Sequence, residues 1–138
     1  MSAPAAPTYL DRIVPAVVRR LEERKRRQSQ ADLEAMTAPD REGSFAAALR
    51  EPGVSLIAEV KRSSPSKGPI RPGLRVGPLV EAYEMNGARA VSVLTEEDHF
   101  GGSLEDLREA AARTRLPLLR KDFIVDPYQI HEARVYGA

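Results

Sequence analysis

The chain has 138 residues, of which 42% are hydrophobic and 30% charged, enough for one ordinary domain with a core of its own. Twenty-one basic against twenty acidic side chains leave a formal charge of +1, so bulk charge gives no case for a nucleic-acid or acidic-membrane partner. The lack of cysteine excludes disulfides and thiolate metal sites, and no apolar run approaches the roughly 18 residues of a membrane span.

The first stretch, MSAPAAPTYLDRIV, lacks the basic start and apolar block of a secretory signal, so a cytoplasmic protein is expected. Ser2 to Pro7 are small and proline-rich and are expected to be frayed. From Asp11 to Arg27 the pattern turns helical: Ile13, Val14, Val17, Val18 and Leu21 form one apolar stripe. The segment RRLEERKRR on its other side could read as an RNA-binding helix. Glu22 with Arg26 and Glu23 with Arg27, each four apart in the favourable order, favour a solvated face with internal ion pairs.

A polar connector with Pro39, Asp40 and Gly43 follows, then a short helix over Ser44 to Leu49 that stops at Glu51-Pro52-Gly53. Residues 1–53 are thus expected to be helices ahead of a second region, 54–138, where a regular rhythm sets in. Val54 to Val60 reads as a strand. A helix is expected over Pro78 to Asn86, with Gly77 as its N-cap and Gly87 as its C-terminal stop. Arg89 to Thr95 is a second strand, and Ser103 caps a helix to Arg113, with Asp106 placed as in a capping box. Leu116 to Arg120 is a third strand. Asp126-Pro127 opens a last helix, which reaches Tyr136 and breaks at Gly137.

The order ααβαβαβα predicts an α/β fold with a parallel sheet of right-handed βαβ units. A fourth strand would be due one residue beyond that last helix stop. Functional groups in such folds gather in the loops after the strands. The loops here carry Glu59, Lys61 and RSSPSKG; then TEEDHFGG; then Arg120, Lys121, Asp122 and Phe123.

Side chains alternate along a strand, so Glu59 and Lys61 share a face, as do Leu119 and Lys121, with Phe123 continuing the alternation if the strand extends that far. Buried charges on such a face must compensate each other or meet a charged ligand. Two lysines from different strands could converge there as proton donor, Schiff-base nucleophile or anion clamp, and desolvation beside another cation would draw a lysine towards neutral pKa. A neighbouring phenylalanine suits a flat, apolar portion of a substrate. The competing readings are a strand-end ion pair, a surface lysine and a plain turn. His99 and His131 lack metal-ligand spacing and read as structural or solvent-facing.

Three segments resemble indole-3-glycerol phosphate synthase: LIAEVKRSSPSKG, AVSVLTEEDHFGGSLEDL and LPLLRKDFIVDPYQIHEARVYGA. The resemblance runs from about Asp11 onward and implies a (β/α)8 TIM barrel with extra N-terminal helices, of which about three βα units are present here. It implies a lyase of tryptophan biosynthesis that closes 1-(2-carboxyphenylamino)-1-deoxyribulose 5-phosphate to indole-3-glycerol phosphate, losing carbon dioxide and water, with no metal or organic cofactor. By the same resemblance Lys121 is the general acid, Glu59 orients the lysines, and Lys61 contacts the anionic substrate with a second proton-transfer role. Ser64 and Pro65 belong to a mobile first-strand loop. Phe100, Phe123 and Leu94 wall the anthranilate ring. The family's later catalytic residues and phosphate loops lie beyond these units, so the chain alone is expected to be inactive. The expected partners are the small anionic substrate and either the remaining barrel portion or a second copy, with no nucleic acid or membrane. Two rival readings are a non-catalytic half-barrel assembly unit and a related barrel such as phosphoribosylanthranilate isomerase.

Overall fold

The computed structural model describes residues 6–41 and 43–138. The expectation of a frayed start therefore falls largely outside the described residues. Helix α1 (Tyr9–Arg27) begins two residues earlier than its apolar pattern predicts. Thr8 caps it: its hydroxyl accepts from the Asp11 amide, while the Asp11 carboxylate accepts from the Thr8 amide at 2.6 Å. The same device, Ser29 with Asp32, opens α2 (Gln30–Ala35), a short helix hidden in what reads as polar connector. The expected short helix is α3 (Phe45–Arg50), one residue later than its pattern predicts, with Ser44 as its cap.

The expected β–α–β–α–β–α succession follows. Strand β1 (Ile57–Val60) leads to a small hairpin, β2 (Ser63–Ser64) with β3 (Gly68–Pro69). Then come α4 (Val76–Met85), β4 (Ala90–Leu94), α5 (Leu104–Arg113), β5 (Leu118–Lys121) and α6 (Tyr128–Tyr136). The strands are shorter than their apolar runs, and Val54 lies out in solvent. Helix α4 starts at Val76, with Arg75 in the cap position, which corrects the expected Gly77 cap. Pro78 then falls in the first turn, where no intrahelical amide is needed. Asp126 still receives the Tyr128 amide at 2.8 Å, although the helix itself opens one residue later than expected.

The main sheet is parallel in the order β1-β4-β5. Its helix-facing residues, Val60, Val91, Val93 and Leu118, pack with Val76, Val80, Leu107 and Ala110 into one core. The opposite face carries Ile57, Glu59, Ser92, Leu119 and Lys121, and at both edges it is open: Ile57 is 43% and Leu119 42% exposed. A second cluster, Leu21, Leu33, Tyr128 and Val135, ties α1 and α2 to α6.

The basic side of α1 is not the self-paired face that its spacing predicts. Arg20 reaches Asp98 at 2.7 Å and Glu97 at 3.1 Å, Arg24 reaches Glu132 at 2.6 Å, and Lys25 reaches Asp126 at 2.6 Å. Within the helix the ion pair among the described residues is Lys25 with Glu22. These cations dock α1 onto the segments that follow β4 and β5.

Candidate active site

At the C-terminal ends of the strands lies an open cleft of about 540 Å³. Lys61, Ser64, Pro65, Phe100 and Phe123 line it, and the first turns of α1 add Tyr9, Leu10 and Ile13. The Phe100 and Phe123 rings stand 6.2 Å apart at 43°. Glu59 and Lys61 do share a face, and Lys61 Nζ lies 3.1 Å from Glu59 Oε1. Because that face is open, the pair is half-exposed rather than buried, and as an ion pair it contributes at most about 1 kcal/mol. Glu59 also accepts a long hydrogen bond from Ser92, 3.4 Å.

Lys121 stands on the same face beside Leu94, its register partner, and makes no side-chain hydrogen bond or ion pair with any described residue. Neither Lys121, Glu59 nor the buried Leu94 lines the cleft itself. The structure thus gathers five of the eight candidates at the cleft and places the other three on the adjoining sheet face. A second cleft of about 500 Å³ sits near Arg41, Glu84 and Thr114, at the opposite end of the sheet from these residues.

Several supporting residues carry no sequence signal that marks them. The loop expected to be mobile has the β2–β3 hairpin at its base. Arg62 anchors that hairpin by donating to Asp106 at 2.9 Å and to the Gly101 and Leu74 carbonyls. Asp106 holds the Arg62 guanidinium firmly in its charged form. The carboxylate is therefore spent on Arg62, and the capping box expected at Ser103 is made on one side only: Ser103 Oγ accepts from the Asp106 amide.

Glu96, almost fully buried, accepts from the His99 and Phe100 amides at 2.7 and 3.0 Å and meets His99 Nδ1 at 2.9 Å. His99 thus braces a loop, and His131 braces α6 against Glu34 of α2. Beneath Lys121 lies a closed ionic cluster. Arg120 donates to Thr95, to the Gln129 carbonyl, to Glu132 and to Asp122, and Arg24 shares Glu132. Two cations against two carboxylates leave it neutral, which is what makes its burial tolerable. Among the described residues no group of three or more His, Asp or Glu is placed to hold a metal ion.

Residues 10–138 match the family model for indole-3-glycerol phosphate synthase. The chain belongs to that family. It is 59% identical over 92 residues to the indole-3-glycerol phosphate synthase of Mycolicibacterium gilvum, covering 67% of this chain and 34% of the relative. It is 56% identical over 107 residues to indole-3-glycerol phosphate synthase 2 of Streptomyces coelicolor, covering 78% of this chain and 41% of that relative. The chain therefore spans about a third of the length of the curated relatives it matches first. Its parallel sheet with helices on one face is part of the (β/α)8 barrel of an enzyme family, and no helix among the described residues is long and apolar enough to cross a membrane.

Proposed function

We propose that these units supply the acid and the ring walls of a decarboxylating carbon–carbon lyase. The substrate is 1-(2-carboxyphenylamino)-1-deoxyribulose 5-phosphate and the product indole-3-glycerol phosphate, made in the cytoplasm. The observation that carries this reading is the Lys61–Glu59 pair, 3.1 Å apart on a face that also holds Lys121, beside a cleft walled by Phe100 and Phe123.

The anthranilate ring sits against the two phenylalanines. The ring carbon bearing the carboxylate attacks the ketone carbon, and Lys121 gives its proton to the carbonyl oxygen, so no free alkoxide forms. Carbon dioxide departs and leaves its bonding pair to restore the aromatic ring. Loss of the new hydroxyl as water then completes the pyrrole. Lys61 holds the anionic end of the substrate through the first step and serves the proton transfers of the second. Glu59 fixes where Lys61 points.

The phosphate grip belongs to later barrel units, so turnover is expected only when those units are added as a second polypeptide. The test is a steady-state assay following indole-3-glycerol phosphate fluorescence, with and without that complement. In the complemented assembly Lys121→Ala should lower kcat by about 10²–10⁴-fold, the range of a general acid. Turnover by the chain alone would overturn the need for a complement. Undiminished turnover in Lys121→Ala would remove the lysine from its role.

A further inference from the structure

Lys121 and Phe123 are held in place by different means. The lysine closes β5, where its carbonyl accepts from the Thr95 amide at 3.0 Å and its backbone pairs with Leu94. Phe123 lies two residues past the end of that ladder, in a segment without regular hydrogen bonding. Its peptide groups are nonetheless satisfied at both ends by buried side chains. The Phe123 amide donates to Asp122 Oδ1 at 2.8 Å, and its carbonyl accepts from Gln129 Nε2 at 3.0 Å.

Gln129 is fully buried, and both the oxygen and the nitrogen of its amide are hydrogen-bonded. Oε1 accepts from the Val125 and Asp126 amides at 2.8 and 3.2 Å, which fixes the rest of the turn between Phe123 and α6. Asp122 is held in turn by the Thr95 hydroxyl at 2.6 Å and by Arg120 at 3.1 Å. Phe100, the facing wall, is treated alike: Glu96 takes its amide, and its carbonyl accepts from the Ser63 amide at 3.2 Å.

We infer that Gln129, with Asp122, is a positioning residue that sets the ring wall at Phe123 and so governs capture of the aromatic end of the substrate. Lys121 keeps its place through the strand ladder, without Gln129. This rests on the function proposed above. A glutamine buried in the first turn of α6 and bonded back to the preceding loop has a purely structural role as its alternative, and the two roles part in kinetics. Loss of folded protein scales down apparent kcat and leaves KM alone. A displaced ring wall raises KM and leaves the acid step alone.

The experiment compares wild type, Gln129→Met and Gln129→Glu in the complemented assay, with the carboxyphenylamino substrate as the probe. Glutamate keeps the acceptor for Val125 and Asp126 but has no donor for the Phe123 carbonyl. Both variants should raise KM by about tenfold with kcat within about twofold. Amide exchange on the 138-residue chain should be faster at Val125 and Asp126 in Gln129→Met, whose side chain no longer accepts from them, with exchange in β4 unchanged in both variants. A lower apparent kcat at constant KM, or kinetics equal to wild type, overturns the inference while wild-type turnover leaves the proposed function standing. Absence of turnover in the complemented wild type overturns the proposed function, and the inference with it.

Discussion

Gly102 follows a glycine whose φ is +64° and marks the tightest backbone approach near the cleft. A methyl group there would press into the Leu94 carbonyl, within 2.6 Å of its carbon and 3.0 Å of Thr95 Cα. Those atoms belong to the end of β4 and cannot swing aside as a side-chain tip would. Gly102→Ala should therefore destabilise the fold by about 1–3 kcal/mol, the usual range for overpacking. Gly73→Ala, which would meet nothing within 4 Å, should stay within about 0.5 kcal/mol of wild type. Equilibrium urea unfolding of both variants checks the difference, and equal stabilities would mean that the loop relaxes freely. At this scale the sequence speaks unevenly. Alternation alone puts Glu59 with Lys61 and Lys121 with Leu119 on one face, because a strand has a fixed period of two. It says nothing of Gln129 or Glu96, whose partners are backbone groups a few residues away in irregular turns, where no period marks them.

Helix α1 shows the same limit at the level of elements. Its existence and apolar stripe follow from periodicity, and Ile13, Val17 and Leu21 are indeed buried, whereas Val18 is left largely exposed. Where its cations go does not follow, because Arg20 and Arg24 meet carboxylates 78 and 108 residues away that no local spacing marks. Helix α2 stays hidden because six residues carry too little periodicity, and only the Ser29–Asp32 cap marks its start. The docking of α1 has a pH signature. Hydrogen bonds from Arg20 and Lys25 hold Asp98 and Asp126 below the ordinary carboxylate range. A carboxylate with a depressed folded pKa stabilises fully above its unfolded value, about 4, and loses that contribution as pH falls through the folded value. The urea midpoint should therefore be flat from pH 7 to about 5 and fall below about 4. Tyrosine near-ultraviolet circular dichroism should follow it, since the Tyr128 hydroxyl donates to the Gln28 carbonyl at the end of α1. A midpoint unchanged down to pH 3 would show that apolar packing alone holds the helix.

At the scale of the molecule the two faces of the sheet behave differently. One is filled by α4 and α5, and its valines have no exposure to lose. The other offers Ile57 and Leu119 to solvent beside Glu59 and Lys121, with strands β1 and β5 at its two free edges. In a closed barrel of the family this face becomes the interior, where a serine in place of Leu119 would leave a void and an unpaired hydroxyl. Leu119→Ser should thus separate the chain's own stability from its assembly. In the isolated chain a half-exposed leucine contributes little, and the substitution should shift stability by about 0.5 kcal/mol or less. In the complemented assembly the same change should weaken association with the later barrel units by at least about thirtyfold, corresponding to the roughly 2 kcal/mol or more that a buried leucine supplies. Titration of the complement against the labelled chain measures the second effect, and urea unfolding the first. Equal losses in both would mean that this face is already packed in the chain alone. No loss in either would mean that the later units do not close over it.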